Sequence, residues 1–131
     1  MIDEKKTALL LMAHGSRIAE ANDAARKIAG MVQEITGYDI VEVSFREMHL
    51  PNIQQGIDAC VARGAQQILL IPYFLFIGAH VQHDLPEELE QAMQRHPGVE
   101  MVMGPHLGVH RKLAEVVVER IAEGLETAGW R

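Results

Sequence analysis

The chain has 131 residues, which is the size of one domain with one hydrophobic core, so we expect a single domain over residues 1–131. A net charge of −6 without a basic run argues against a nucleic-acid partner, and the apolar runs are too short to cross a membrane. A single cysteine, Cys60, excludes an internal disulfide, and the N-terminus lacks the features of a signal peptide. These observations favour a cytoplasmic protein.

The first strand is predicted from an apolar run that begins at Thr7 and stops at His14, Gly15 and Ser16. Without a polar interruption, the run is typical of a strand buried on both faces, and the Gly/Ser pair indicates a turn into a helix. Ser16 is the expected N-cap of that helix, which ends near Gly37. Its inward face is predicted from apolar spacings of three and four: Ile18, Ala21, Ala25, Ile28, Val32 and Ile35.

The middle of the chain predicts two more strands and a helix between them. Residues 39–45 form a strand that is less apolar than the first and therefore nearer an edge. Pro51 opens a helix that Gly64 closes. Residues 67–73 are as apolar as the first strand, which predicts a second central strand.

The third strand runs into an apolar loop, residues 74–83 (FLFIGAHVQH). Asp84 and Glu87 have the spacing of a capping box, so the next helix is predicted to begin at Asp84. A short fourth strand follows at residues 99–103. The closing helix, residues 111–128, is predicted to face inward with four apolar side chains: Leu113, Val117, Ile121 and Leu125.

Four strands that alternate with four helices indicate parallel pairing and right-handed crossovers. We therefore predict an α/β fold, a single-domain three-layer sandwich whose four-stranded sheet has the flavodoxin-like order 2-1-3-4. In that order the first and third strands flank the point where the strand order reverses, and ligands bind outside the carboxyl ends of the strands there.

Two histidines follow these two strands, His14 after the first and His80 after the third. A neutral imidazole can bind a divalent metal ion or accept a proton near pH 7, so we predict that the pair does both. Glu47, at the end of the second strand, can assist as metal ligand or base. The alternative is that each imidazole bonds a backbone group at a strand end and that Glu47 is a solvated loop acid.

Several neighbouring residues allow two interpretations. Arg17 and Arg46 follow strand ends, where they can bind carboxylates of an anionic ligand or form surface salt bridges. Metal binding by His83, His106 or His110 stays open, and His83 can instead belong to a helix entry. No dinucleotide fingerprint or phosphate loop is present, so we expect no nucleotide cofactor.

Three motifs together resemble the sirohydrochlorin cobaltochelatases, in the small single-domain form of the class II tetrapyrrole chelatases. They are the apolar strand that ends in His-Gly-Ser-Arg at residues 14–17, the Phe-x-Glu at residues 45–47, and the run Phe-Leu-x-x-Gly-x-His-x-x-x-Asp-x-Pro at residues 74–86. The similarity extends over about residues 7 to 121. It departs from the family at Arg46, where an aliphatic residue is usual, and at Leu85, where isoleucine is usual.

The resemblance implies ATP-independent insertion of Co²⁺ into sirohydrochlorin, a step of cobalamin biosynthesis. The family's two histidines fall on His14 and His80 and its carboxylate on Glu47. Longer relatives carry two such domains face to face, so the resemblance implies a homodimer whose clefts meet.

The expected substrate is a flat macrocycle with apolar faces and eight carboxylates. We predict that it contacts the apolar loop and the polar groups around it: Phe74, Leu75, Phe76, Gly78, Ser16, Arg17 and Arg46. Insertion of Fe²⁺ for sirohaem or of Ni²⁺ is an alternative, because imidazole binds all three ions. A non-catalytic metal or tetrapyrrole carrier is another, and a phosphohistidine turn at His14 is a third.

Overall fold

The computed structural model describes residues 5–130, which form one four-stranded parallel sheet with its helices. The strands are β1 (Thr7–Ala13), β2 (Ile40–Phe45), β3 (Gln67–Pro72) and β4 (Glu100–Met103). Their order is β2-β1-β3-β4, which confirms the predicted topology and the edge position of β2.

Each strand is followed by a helix: α1 (Ala19–Thr36), α2 (Ile53–Ala62), α3 (Ala79–Arg95) and α4 (Arg111–Ala128). α1 ends where predicted, since Gly37 has a left-handed φ of 75° and donates its N–H to the Gln33 carbonyl. Within the described residues, none of the helices has both the length and the apolar composition that a membrane crossing requires.

One face of the sheet, which we call the closed face, carries the main core. Alternate side chains of β1 and β3 point to this face. They pack with the buried side of α2 and α3, and the cluster includes Ala8, Leu10, Met12, Ile68, Leu70, Ile53, Ile57, Cys60, Val81, Leu85 and Ala92.

The opposite face, which we call the open face, is covered over half its width. Ala13 and Phe45 pack there with Ala25 of α1. In the described part of the chain α1 is the helix on this face, and it lies against β1 and β2.

The incomplete cover changes the burial of β3. Its residues alternate between buried and partly exposed, whereas β1 is buried from Ala8 to Ala13. The prediction that β3 is central is confirmed, but its open face lacks the cover that β1 has.

Two predicted inward faces are wrong in part. Within Arg111–Ala128 no residue is buried, so the predicted inward side chains Leu113, Val117, Ile121 and Leu125 are not part of the core. In α1 the buried residues are Asn22, Ala25 and Ala29, whereas Ile18 and Ile35, which were predicted to face inward, are exposed.

The buried set of α1 follows from its position over β1 and β2. Asn22, Ala25 and Ala29 lie at spacings of three and four, so they share one helix face. Small side chains on this face let the helix approach the sheet closely, and the larger Ile18 and Ile35 stay in solvent at its two ends.

The start of α3 differs from the prediction by one and a half turns. The helix begins at Ala79, with Gly78 as N-cap, and Asp84 and Pro86 lie inside it. Gln82 already donates its N–H to the Gly78 carbonyl at 2.9 Å. Val81 and Leu85 are both buried and lie four residues apart on one helix face. Their packing stabilises the helix before Asp84, so Asp84 and Glu87 lie within α3 and do not form a capping box at its start.

Candidate functional site

The carboxyl ends of β1 and β2 are joined by close backbone contacts. Arg46 donates its N–H to the Ala13 carbonyl at 2.8 Å, and Glu47 donates its N–H to the His14 carbonyl at 3.0 Å. Gly15 has a φ of +90°, and a Cβ there would lie 1.8 Å from the Glu47 carbonyl oxygen. Only glycine fits this position, which brings the turn after β1 directly beside the loop after β2.

A buried amide holds the turn after β1 in place. Asn22 is 2% exposed, and its Nδ2 donates to the Ser16 carbonyl at 2.7 Å. Its Oδ1 accepts the Ser16 N–H at 2.9 Å. Sequence reasoning missed Asn22, although a polar residue four positions after Ile18 and three before Ala25, on the predicted apolar face, was a signal of such a role.

Ser16 is not the N-cap of α1, because Ile18 occupies that position without a side-chain cap. The Ser16 Oγ instead accepts the Ile18 N–H at 3.0 Å. The hydroxyl therefore shapes the turn that carries His14, and its predicted contact with a ligand stays a prediction.

His14 lies at this edge with its ring exposed on one side and packed on the other. Its ring centroid is 4.0 Å from that of the buried Phe74, at an interplanar angle of 37°. His14 also lines a cavity of about 280 Å³ between the end of β1, Tyr73 and α1. The aromatic contact limits the orientations of the imidazole and leaves it accessible from solvent.

His80 lies in the first turn of α3, not in a loop as its sequence context suggested. It is exposed, and Gly78 precedes it as N-cap. Because β1 and β3 are neighbours, the segments that carry His14 and His80 leave the same edge of the sheet. The topology predicted for the pair is therefore present.

Arg46 and Glu47 follow β2 at the same edge. The Arg46 Nη2 donates to Asp84 Oδ2 at 2.7 Å, and its Nη1 lies 3.6 Å from Glu47 Oε1. The Arg46 side chain is 21% exposed, so this ion pair links the end of β2 to α3. A substrate carboxylate would compete with two carboxylates of the chain for this guanidinium.

A cavity of about 230 Å³ lies beside this ion pair, between the loop after β2 and α3. Four acidic residues line it with Arg46: Glu47, Asp84, Glu87 and Glu88. Such a cavity favours cations over anions.

Potential metal ligands cluster at one point within residues 5–130. His83, Asp84 and Glu87 each offer a ligand atom within 4.8 Å of the others, and none of these side chains is buried. His14, His80 and Glu47 do not form such a trio in the described chain. His110 is the N-cap of α4, where its Nδ1 accepts the Lys112 N–H at 3.0 Å, and His106 lies half-buried in the preceding loop.

Large apolar side chains project from the loops at this edge. Phe76 is 78% exposed, and Leu75 beside it is also exposed. The loop after β2 adds the exposed Met48 and Leu50. Arg17 is exposed next to His14 and Ser16. The edge thus combines accessible imidazoles with an apolar surface and an exposed cationic side chain.

Comparison with known proteins identifies relatives over most of the chain. Residues 8–124 match the CbiX family. A sirohydrochlorin ferrochelatase from Priestia megaterium is 38% identical over 116 residues, which are 88% of this chain and 44% of the relative. A sirohydrochlorin cobaltochelatase from Sulfurisphaera tokodaii is 30% identical over 120 residues, which are 92% of this chain and 95% of the relative.

A solved structure has the same fold. The sirohydrochlorin chelatase SirB from Bacillus subtilis subspecies spizizenii, in complex with cobalt, superposes with a TM-score of 0.83 at 32% identity. The match covers 90% of this chain and 50% of the SirB chain. The chain thus spans half or less of the longer relatives and nearly all of the Sulfurisphaera protein.

Proposed function

Because this chain belongs to the CbiX family, we propose that it inserts a divalent metal ion into sirohydrochlorin without ATP, and that Co²⁺ is the metal it uses. The observation that carries the proposal is the carboxyl edge of the sheet. Two exposed histidines follow neighbouring strands there, beside an exposed apolar surface.

The apolar surface suits the faces of a flat macrocycle. Phe76 and Leu75 would lie against one face of the ring system, where burial of their apolar area favours binding. Arg17 is available for a peripheral carboxylate, and the N-terminal end of α3 at Gly78 adds positive potential. Arg46 would act indirectly, since it already holds Asp84 and Glu47.

Metal insertion removes two protons from pyrrole nitrogens while the ion forms bonds to four ring nitrogens. His14 and His80 would bind the incoming ion through neutral imidazole nitrogens and accept the released protons. Glu47, half-exposed beside the His14 backbone, would assist by attracting the cation or relaying a proton to water. Each proton then passes to solvent, which returns the side chains to their starting state.

The choice of Co²⁺ rests on length as well as similarity. Three relatives of which the chain covers 93–96% are named as cobaltochelatases. The two longer Priestia megaterium relatives, of which it covers 44% and 39%, are named as a ferrochelatase and a cobaltochelatase, so only the short relatives favour cobalt. Imidazole affinity alone rises from Fe²⁺ through Co²⁺ to Ni²⁺ for any such site, so the ligand types do not select the metal.

The proposed enzyme is a cytoplasmic homodimer. One chain offers one open edge, and a second copy whose edge faces it would enclose the macrocycle between two apolar surfaces. Such enclosure would exclude water from the metal and strengthen its attraction to the ring nitrogens.

The test is turnover of sirohydrochlorin by the purified protein with Co²⁺, Fe²⁺ or Ni²⁺, followed by absorbance under anaerobic conditions. We expect many equivalents of product per chain, with Co²⁺ fastest. At most one equivalent with every ion would refute catalysis and indicate a carrier, and a faster rate with Fe²⁺ or Ni²⁺ would refute the choice of Co²⁺.

The histidine roles are tested by His14→Ala and His80→Ala, with His96→Ala as the matched control. His96 follows the far end of α3 and pairs with Asp58 at 2.7 Å, about 24 Å along the helix from His80. We expect at least a hundredfold loss of turnover for the first two variants and little change for the control. Folded variants of His14 and His80 with parental turnover would contradict the assignment.

A further inference from the structure

Arg46 contacts each of the segments that make up the candidate site. Its backbone N–H donates to the Ala13 carbonyl at 2.8 Å, directly before His14. Its side chain donates to Asp84 of α3 through Nη2 at 2.7 Å, and its Nη1 lies 3.6 Å from Glu47 Oε1. One residue at the end of β2 is thus joined to the end of β1, to the neighbouring carboxylate and to α3.

The ion pair of Arg46 with Asp84 holds the end of α3 that carries His80. Asp84 follows His80 by four residues, so the two side chains lie on one face of the helix, one turn apart. A guanidinium is planar and rigid, and one that contacts two carboxylates has few orientations. A shift of α3 relative to the end of β2 would therefore break a contact of Arg46.

The same guanidinium places a positive charge among carboxylates. The cavity beside it is lined by four acidic residues: Glu47, Asp84, Glu87 and Glu88. A fixed charge 3.6 Å from Glu47 raises the free energy of a divalent cation at that carboxylate. A cation that binds Asp84 must first displace the guanidinium. Arg46 therefore opposes tight binding of an ion at this edge of the sheet.

The burial of Arg46 is not explained by stability alone. Its Nε is buried and has no hydrogen-bond partner within residues 5–130. A buried donor without a partner destabilises the folded chain. An aliphatic side chain at this position would avoid that cost, so the guanidinium needs another explanation.

We propose that Arg46 is a positioning residue for metal insertion. Its side chain holds Glu47 and the His80 end of α3 in a fixed arrangement, and its charge keeps the ion bound weakly enough to pass to the ring nitrogens. Weak binding matters because tight binding of the ion before the reaction does not speed its transfer. The inference rests on the proposed function, since it assigns a role within that reaction.

The first experiment measures kcat and KM separately for Arg46→Leu and Arg46→Lys. We expect Arg46→Leu to lower kcat with Co²⁺ by about tenfold or more, because Glu47 and α3 lose their link. KM for sirohydrochlorin should stay within about twofold of the parent value, since Arg46 does not touch the macrocycle. Arg46→Lys keeps the charge without the rigid fork, so its kcat should lie between those of Arg46→Leu and the parent.

Arg63→Leu is the matched control. Arg63 also links β2 to a carboxylate, since it donates to Glu42 at 3.1 Å and to the Asp39 carbonyl at 2.7 Å, towards the opposite end of the strand. Its kcat should equal that of the parent. A rise of about tenfold in KM for sirohydrochlorin with unchanged kcat in Arg46→Leu would overturn the proposal, because Arg46 would then bind a substrate carboxylate directly. Parental kcat in folded Arg46→Leu would also overturn it.

The second experiment asks whether Arg46 and Asp84 act as a unit. Arg46→Leu, Asp84→Asn and the double variant form a double-mutant cycle on kcat. We expect the double variant to lose no more activity than Arg46→Leu alone, because either change breaks the same link. Losses that multiply in the double variant would show independent effects and would overturn the positioning role.

The third experiment measures Co²⁺ binding by calorimetry without sirohydrochlorin, so its result does not depend on turnover. We expect Arg46→Leu to bind Co²⁺ about three- to tenfold more tightly than the parent, and Arg46→Lys to bind it as the parent does. A merely structural role would not tighten binding, so equal or weaker binding by Arg46→Leu beside an active parent would overturn the inference and leave the proposed function standing. A parent that never turns over sirohydrochlorin would refute the proposed function, whereas tighter Co²⁺ binding by Arg46→Leu would still support the effect of the charge.

Discussion

α1 and α4 are both 18 residues long and both have one apolar side, but they differ in how much of that side is buried. α1 buries Asn22, Ala25 and Ala29 against the sheet, and α4 buries no residue. The same contrast separates the strands beneath them, since β1 is buried on both faces and β3 alternates. The apolar side of a helix therefore does not by itself establish that the helix packs on the sheet of its own chain.

The largest expected effect compares two adjacent leucines of β3. Leu70 is fully buried on the closed face, whereas Leu69 points to the open face and is partly exposed. We expect Leu70→Ala to lower the free energy of unfolding by about 2–5 kcal/mol, the usual cost of a cavity in a core. Leu69→Ala should cost about 1 kcal/mol, because that side chain is already partly exposed. Urea denaturation measures both, and equal losses would contradict the difference between the two faces.

A smaller effect concerns the buried polar residue of α1. Asn22→Ala leaves the Ser16 N–H and carbonyl without their partner, which should cost about 1–3 kcal/mol of unfolding free energy. It should also slow sirohydrochlorin turnover, because the turn that carries His14 loses its support. Glu34→Ala, at an exposed position of the same helix, is the control. Parental turnover by folded Asn22→Ala would show that the amide does not position the site.

The smallest effect is electrostatic and compares an ion pair of α2 with one of α4. The Arg95 guanidinium lowers the pKa of the Asp58 carboxyl below its ordinary value of 3.8, against the opposing effect of burial, and His96 adds to the lowering. A lowered folded-state pKa means that this stabilisation is present above about pH 4 and is lost as the pH falls through the lower, folded value.

Asp58→Asn should therefore reduce the acid dependence of the midpoint of unfolding between neutral pH and pH 3. The effect is small, because the carboxylate is partly exposed and screened by solvent. Glu123→Gln, which removes an exposed pair with Arg120 on α4, is the control and should leave the dependence unchanged. An equal change in both variants would show that Asp58 has no special role.

The elements that the sequence predicted well are those with a local cause. Gly37 ends α1 because a left-handed residue there satisfies a free carbonyl, and this signal is readable from the residues alone. The strand order followed from the alternation of strands and helices with the apolar content of β1 and β3. The placement of His14 and His80 at one edge follows from that order.

The errors arose where distant packing outweighed a local pattern. The spacing of Asp84 and Glu87 resembles a capping box, but the buried pair Val81 and Leu85 starts α3 earlier. Ser16 has the chemistry of an N-cap, but Asn22 holds its backbone and Ile18 takes that position. For Arg46, the sequence left a substrate contact and a salt bridge open; the fold shows the salt bridge, with Asp84 of α3, and the substrate contact stays a prediction.

The sequence by itself determined the β-α alternation, the order of the sheet and the edge at which the two histidines emerge. These features depend on periodicity and chirality, which act within a few residues or within one crossover. Only the tertiary structure decided which apolar faces are covered, where α3 begins and what holds the turn before α1. Those features depend on contacts between residues far apart in the chain, and the free energy of such contacts is set by the surfaces that meet.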